Sequence, residues 1–299
     1  MNDVCVVVVT YNRRLDLSKC LIALKEQTLK AFDVIIVDNN SNDETSEFLF
    51  ESFNIDTRRC EESKTDNFYV NEGLFDEKQK LYVISKLINE GSAGGFATGL
   101  QYTLKFNYNW VWVMDDDGLP DRSCLETLLA YTTGNVAHCI SPNLLTFDNK
   151  SHFQNVFDNS PLNHIQFDGG LWNGVLLNSQ VLRTIGLPHK VFFIWGEETE
   201  YLDRMSEAGF VRITVKNALH YHKSTKFDYG QVPRVYYLVR NKVFMIRLHR
   251  GIYISRFVFT ISQIVVITRL LFSSLVSLNF TSVRDIIRAL FAGAFQDIK

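Results

Sequence analysis

The sequence predicts an α/β fold, a sheet flanked by helices, with a helical extension at its C-terminal end. Three observations lead there. β-Branched runs alternate with amphipathic stretches through the first third of the chain, polar clusters follow directly on those runs, and from Val232 the pattern turns to helices alone. With 299 residues and 46% hydrophobic side chains, the chain has material for one large core or for a domain with an appendage.

Val4 to Thr10 is a continuous β-branched run, and Leu17, Leu21 and Leu24 then fall on one face of a helix. Val34 to Val37 is the next buried strand, which completes a βαβ unit. These strands end in Thr10, Tyr11, Asn12, Arg13 and in Asp38, Asn39, Asn40, Ser41, at the carboxyl edge where open α/β sheets bind ligands. Residues 54–80 are charged and irregular and read as a surface loop with a short helix. A strand at Leu81 to Ile84 leads into glycine-rich Asn89 to Phe96 and a helix through Leu104. The apolar run from Trp110 to Met114 is a strand buried on both faces, and it delivers Asp115, Asp116 and Asp117 to its end. A helix from about Asp121 turns Leu125, Leu128 and Leu129 inward, Val136 to Ser141 is a strand, and 165–178 reads as further strand and turn. A helix from Glu197 stops before Gly209, and a strand from Phe210 to Val215 leads into His220, Tyr221 and His222.

Three adjacent carboxylates raise one another's proton affinity unless a cation offsets them. A hard divalent ion, Mg²⁺ or Mn²⁺, suits oxygen ligands, although a solvated acidic turn closed by Gly118 and Pro120 fits the same residues. Gly91 to Gly99 has the spacing G-x-x-G-G-x-x-x-G, which is not the dinucleotide fingerprint, so a Rossmann dehydrogenase is disfavoured. Its glycines suit either close approach to a nucleotide or sugar, with Asn89 as polar anchor, or tight packing of a helix start on a strand. Glu197, Glu198 and Glu200 surround a helix start, where carboxylates favour the helix dipole; one of them beside Trp195 also suits a general base. His220 and His222 share a face if extended, and either can complete a metal site begun by the aspartates.

The formal net charge of −2 hides an asymmetry, because residues 230–299 hold ten Lys and Arg against Asp285 and Asp297. An acidic body thus carries a basic, greasy tail, which favours an anionic membrane surface over nucleic acid. The most apolar stretch, Phe257 to Phe280, is interrupted by Arg269 and reads as interfacial rather than spanning. Arg250, Arg256, Arg269, Arg284 and Arg288 would meet lipid phosphates while Phe257, Phe259, Leu271, Phe272 and Phe291 enter the acyl boundary. Five scattered cysteines argue against a secreted disulfide framework, and the N-terminus does not read as a signal peptide, so a cytoplasmic setting is expected.

The order of these motifs is specific. A valine-rich strand with Thr-Tyr-Asn-Arg, Val-Asp-Asn-Asn-Ser-x-Asp, Asn-x-Gly-x-Ala-Gly-Gly-Phe, the triple aspartate, Gly-Glu-Glu before a helix and His-x-His together resemble the inverting glycosyltransferases of family 2 with the GT-A fold. The resemblance covers residues 4 to about 245. Its subgroup looks like that of bacterial galactofuranosyltransferases and rhamnosyltransferases of cell-wall and polysaccharide assembly.

The resemblance implies a GT-A nucleotide-diphospho-sugar transferase fold, a Rossmann-like mixed sheet flanked by helices, over 1–230, with 231–299 as a basic, membrane-associating helical region. It implies an enzyme that moves a sugar, most simply from UDP-galactofuranose or dTDP-rhamnose, to a hydroxyl of a lipid-linked or polysaccharide acceptor. Thr10, Tyr11, Asn12, Arg13, Asp38, Asn89, Gly94, Gly95, Asp115 and Asp116 would face the donor. Asp117 would ligate Mn²⁺ or Mg²⁺ with His220, or with His222 as alternate, and Glu198, or else Glu197, would be the base. Trp172, Asn173 and Trp195 would line the acceptor site, since flat rings stack on sugar C–H faces. The implied place is cytoplasmic, peripheral on the inner face of the cell membrane, without nucleic acid as partner. Two rivals are a catalytically inactive sugar-nucleotide-binding protein of the same fold and a nucleotidyltransferase. For the latter a basic, glycine-rich triphosphate signature is expected near the N-terminus, and Thr10 to Arg13 is not one.

Overall fold

The valines of β1 (Val4–Thr10) are buried along the whole strand. Two branches on Cβ suit a pleated backbone, and burial on both faces calls for a neighbour on each side. Those neighbours are β2 (Phe32–Asp38) and β6 (Trp110–Asp115), both parallel to β1. The register pairs Thr10 with Asp38 and Val9 with Asp115, so three strand ends finish at one edge of the sheet.

The computed structural model describes residues 3–298 except 59, 74, 76–78, 134–136, 149, 152–156, 158–161, 167–171, 224–231, 249–252 and 277–278. The side chains of 72, 232–234 and 253–259 are also outside the description. Arg250 therefore lies outside the described residues, as do the side chains of Arg256, Phe257 and Phe259.

Beyond β2 the sheet continues with β5 (Lys80–Lys86), parallel, then β4 (Asp66–Glu72) and β3 (Glu61–Glu62), antiparallel. Beyond β6 come β10 (Val175–Asn178), antiparallel, then β8 (Cys139–Leu145), antiparallel to β10, and β11 (Arg212–Tyr221), parallel to β8. β7 (Leu119–Pro120) and β9 (His164–Gln166) pair with β11. The sheet is thus mixed, as the sequence leads one to expect.

Three strand assignments need correction. Residues 54–80 hold β3 and β4 instead of a loop with a short helix; buried Phe68 and Tyr69 point to opposite faces of the sheet, but Asp66, Asn67, Asn71 and Glu72 around them mask the alternation. β8 begins at Cys139 and runs on through Pro142 to Leu145. β11 outruns Val215 to reach Tyr221, past an irregularity in register between Val215 and Leu219.

Alternation along β1 divides the core into two layers. Val4, Val6 and Val8 meet Leu17, Leu21 and Leu24 of α1 (Arg14–Lys25), Leu49 of α2 (Thr45–Ser52), and Leu125 and Leu128 of α4 (Cys124–Leu129). Cys5, Val7 and Val9 meet Phe96 and Leu100 of α3 (Gly91–Lys105), Val181 of α5 (Ser179–Ile185), and Tyr201 and Met205 of α6 (Glu197–Glu207). Each such fully buried aliphatic side chain contributes on the order of 1.5–3 kcal/mol relative to exposure. A Cβ on Gly95 would stand 2.5 Å from Val9 Cγ1, and one on Gly99 the same distance from Val7 Cγ1, so α3 rides directly on β1.

The chain ends in α7 (Val232–Leu248), α8 (Tyr253–Val276) and α9 (Phe280–Phe295). Val235, Val239, Ile267, Ile286 and Ala289 form their shared core. Leu271 packs against that core and is not free to enter a lipid phase, whereas Phe272, Phe280, Phe291 and Phe295 are exposed. Among the described residues no helix is long and apolar enough to cross a membrane.

Candidate active site

The edge where β1, β2 and β6 end opens into a cavity of about 470 Å³, bounded opposite by the segment Phe193–Glu198. Thr10, Tyr11, Arg13, Asn89, Asp115, Asp116, Asp117, Trp195, Glu197, Glu198 and His222 all line it. Residues far apart in the chain therefore share one space because parallel register brings the strand ends level.

Within it the three aspartates have separate surroundings. Thr10 Oγ1 donates to Asp116 Oδ2 at 2.7 Å, and Arg13 Nη1 bridges Asp116 Oδ1 at 3.2 Å and Asp117 Oδ2 at 2.9 Å. His222 Nε2 lies 3.1 Å from Asp117 Oδ1. That approach is not aligned as a hydrogen bond, and the buried Oδ1 has no donor among the described residues. One atom each from Asp115, Asp117 and His222 lie within 4.8 Å of one another. Two carboxylates and an imidazole, one oxygen having an unused lone pair, are a donor set that fits a divalent cation such as Mn²⁺ or Mg²⁺.

Burial lifts the Asp115 carboxyl to about 7, with the charges of Asp116 and Asp117 adding to the rise. Asp116 rises to about 6, chiefly through burial and against Thr10 and Arg13. For Asp117 burial acts upward too, but His222 and Arg13 together hold it below the usual carboxylate range. The His222 imidazole is pushed up by Asp117 in spite of burial, so the pair attracts as imidazolium and carboxylate.

Position in the sequence ranks His220 ahead of His222 as metal ligand; the geometry reverses that order. His220 is fully buried, between Gly118 and Gly174, where an added Cβ would stand 2.4 Å and 2.6 Å from its ring nitrogens. Both nitrogens lack a hydrogen-bond partner among the described residues, and burial drives the imidazole down to about 3, so it stays neutral. It packs against the turn that carries the aspartates.

Six other expected positions also face elsewhere. Gly94 and Gly95 sit against Glu90 and Val9, so of the two roles open to these glycines, tight packing is the one that they fill. Asp38 turns inward: Oδ1 accepts from the Ser41 N–H at 2.9 Å and Oδ2 from the Ser46 hydroxyl at 2.5 Å. Asn12, with φ 53, accepts from the Asn42 N–H at 2.7 Å and ties the two strand-end loops together. Trp172 is packed between Phe96 and Tyr201 in the core, and Asn173 beside it is buried, so neither forms an acceptor wall. Trp195 does line the cavity.

Asn39, a member of the strand-end cluster, and Ser92, at an unspecified position of the glycine-rich segment, also contribute. Asn39 Nδ2 donates to Asn89 Oδ1 at 3.0 Å and to Gly91 O at 2.8 Å, fixing Asn89 at the rim. The Ser92 hydroxyl donates to Glu197 Oε1 at 2.6 Å. Glu197 is thus engaged and 1% exposed, whereas Glu198 is partly open to the cavity. Burial, then the charges of Glu197 and Asp115, raise the Glu198 carboxyl well above the ordinary range. Such a group becomes a base of useful strength once deprotonated.

The family model of glycosyl transferase family 2 matches residues 5–185, which include every strand end of this edge. The chain belongs to glycosyl transferase family 2. Membership makes it a glycosyltransferase, working with a nucleotide-sugar donor. Among family relatives, galactofuranosyltransferase GlfT1 of Mycolicibacterium smegmatis (strain ATCC 700084 / mc(2)155) is 26% identical over 237 residues, 73% of this chain and 70% of that protein. The mannosyltransferase PcManGT from Pyrobaculum calidifontis, solved with GDP-Man and Mn²⁺, superposes with a TM-score of 0.59 at 14% identity, covering 99% of this chain and 88% of its own. S. aureus TarS 1-349, solved with UDP-GlcNAc, gives a TM-score of 0.56 at 13% identity over 88% of this chain and 71% of its own. At these identities the two structures establish the shared fold.

Proposed function

We propose that this family 2 glycosyltransferase is an inverting, divalent-metal-dependent enzyme that transfers galactofuranose from UDP, or rhamnose from dTDP, to a hydroxyl of a lipid-linked or polysaccharide acceptor in cell-envelope glycan synthesis. One observation carries the reading: the Asp115, Asp117 and His222 group and the raised Glu198 carboxyl face the same cavity. The groups that would serve the leaving diphosphate and the attacking hydroxyl thereby line one space. The likeness to a galactofuranosyltransferase supports the donor named first.

Asp115, Asp117 and His222 would hold Mn²⁺ or Mg²⁺, which when bound neutralises charge gathering on the departing diphosphate. Arg13, already among these carboxylates, would meet the same phosphates. Thr10, Tyr11 and Asn89 line the donor side, and Trp195 offers a flat face to an acceptor sugar. Glu198 takes the proton from the acceptor hydroxyl as its oxygen attacks the anomeric carbon. The C–O bond to diphosphate breaks on the opposite face, and configuration inverts in a single displacement.

The exposed apolar residues of α8 and α9, interspersed with Arg269, Arg284 and Arg288, support seating on an anionic membrane surface, where lipid-linked acceptors would be met. The test of the function is a hydrolysis screen of UDP- and dTDP-sugars with Mn²⁺ or Mg²⁺. Release from UDP-galactofuranose or dTDP-rhamnose, abolished by chelator, is the expected result; turnover that ignores chelator would remove the metal from the reading.

A further inference from the structure

The segment that carries Glu198 has an unusual backbone. Phe193, Trp195 and Gly196 take φ values of 64°, 63° and 94°, and for the two aromatic residues that region is sterically disfavoured. Such a path persists only where its surroundings over-determine it. The N-terminus of α3 supplies one side, with the Ala93 N–H donating to Phe193 O at 3.1 Å.

α7 supplies the other. Asn241 Nδ2 stands 2.9 Å from Phe192 O, 2.8 Å from Ile194 O and 2.6 Å from Trp195 O. Arg240 donates through Nε and Nη2 to Asn241 Oδ1 at 3.0 and 2.9 Å, which requires the amide nitrogen to face the carbonyls. Arg240 Nη2 also reaches Val191 O and Phe192 O, each at 2.7 Å. Both side chains are buried, Asn241 at 2% and Arg240 at 5% exposure. The Phe193 ring stacks on Tyr237 of the same helix at 4.8 Å.

We propose that Asn241, oriented by Arg240, is a positioning residue for glycosyl transfer: it holds the carbonyls of Phe192, Ile194 and Trp195 and so aims Glu198 into the cavity from a helix outside the nucleotide-binding sheet. This rests on the reading of Glu198 as the base. α7 is then a working part of the active site as well as the start of the helical extension. A misplacement of about 1 Å in a reacting group costs on the order of 10²-fold in rate.

The test compares full-length wild type with Asn241→Leu, which removes the amide at nearly constant size, and Arg240→Met, which leaves it unoriented. Against UDP-galactofuranose or dTDP-rhamnose, Asn241→Leu should lower kcat by on the order of 10²-fold with KM and UDP affinity within about twofold. Arg240→Met should lower kcat less. In both, amide hydrogen exchange should quicken in residues 192–198 and stay unchanged in β1, β2 and β6. Unchanged kcat, or slowed turnover with unchanged exchange in that segment, overturns the proposal. Should Asn241→Leu not fold, Arg240→Met decides by the same two readouts. Glu198→Gln is measured beside them: retained turnover there ends the base reading alone, while a loosened loop with slow turnover in Asn241→Leu would still stand.

Discussion

Asp117 and His222 meet at 3.1 Å at the mouth of the strand-end cavity, while His220, two residues earlier, is sealed behind the aspartate turn. Proximity in sequence does not separate these histidines; the end of β11 at Tyr221 does. The expected consequence is selective. Mn²⁺ titrated into the metal-free protein by calorimetry should bind at least tenfold more weakly to Asp117→Asn and to His222→Ala, a loss of about 1.4 kcal/mol or more. Equal affinity in His222→Ala would remove that residue from the ligand set.

Glu197 and Glu198 are neighbours in the chain with different surroundings. Glu197 is covered and accepts from Ser92, and Glu198 opens on the cavity. Glu198→Gln should therefore reduce transfer by roughly 10²- to 10⁴-fold, the range for loss of a positioned base, with nucleotide affinity nearly intact. Glu197→Gln should keep most of its turnover. It should also move the acid limb of the rate profile downward, because the Glu197 charge is one reason that the Glu198 carboxyl stands high. A reversed pattern of losses would transfer the base to Glu197.

Glu197 also predicts a stability profile. Burial raises its carboxyl above the ordinary 4.5, so the folded chain binds this proton more tightly than the unfolded chain does. The contribution is present in full below the unfolded value and is lost as pH rises through the folded one. Glu197→Gln keeps an acceptor for Ser92 without the buried charge. Its Tm in metal-free buffer should exceed that of the wild type near about pH 8, and the gap should close on acidification toward about 4.5. A gap independent of pH would mean that the folded carboxyl titrates normally.

The first half of the fold is legible because its strands are buried on both faces, and a short unbroken valine or isoleucine run between polar clusters suits such a strand better than a solvated one. β4 is obscured for the opposite reason: its sequence carries Asp66, Asn67, Asn71 and Glu72, so its polar residues, buried Asp66 among them, hide the strand around Phe68 and Tyr69. Motif order places the triple aspartate, Glu198 and Trp195 at the site. It does not distinguish Trp172 in the core from Trp195 at the cavity, since aromatic residues beside glycines look alike before packing is known. The Asn241 contacts are long-range hydrogen bonds to backbone carbonyls, which leave no trace in residue spacing.

The seat of His220 yields a packing prediction. Gly118 has an ordinary backbone, but a Cβ there would stand 2.4 Å from His220 Nε2 and 3.3 Å from Asp115 O. Gly118→Ala should destabilise by about 1–3 kcal/mol through overpacking, a drop of roughly 2–4 °C in Tm per kcal/mol for a chain of this size. Because the clash is with one ring, His220→Ala should relieve part of it. Thermal melts of both single variants and the double variant test this, and a coupling below about 0.5 kcal/mol would show the two positions to be independent.

The exposed surface of α8 and α9 carries the last expectation. Phe272, Phe280 and Phe291 are each about two-thirds exposed and Phe295 more so, an arrangement costly in water and favourable in an acyl boundary. Arg284 and Arg288 are similarly exposed and share Asp285 at 3.6 and 3.8 Å, which leaves net positive charge beside the aromatic residues. Vesicles containing anionic lipid should therefore sediment the protein better than zwitterionic ones, and the preference should fall with salt. Arg284→Gln with Arg288→Gln should weaken binding to anionic vesicles by roughly ten- to thirtyfold, at about 1 kcal/mol per charge near the surface, and leave zwitterionic binding unchanged. Phe291→Ser with Phe295→Ser should weaken both, because the apolar contribution does not depend on lipid charge. Equal sedimentation of all variants would assign this face to a protein partner or to another copy of the chain.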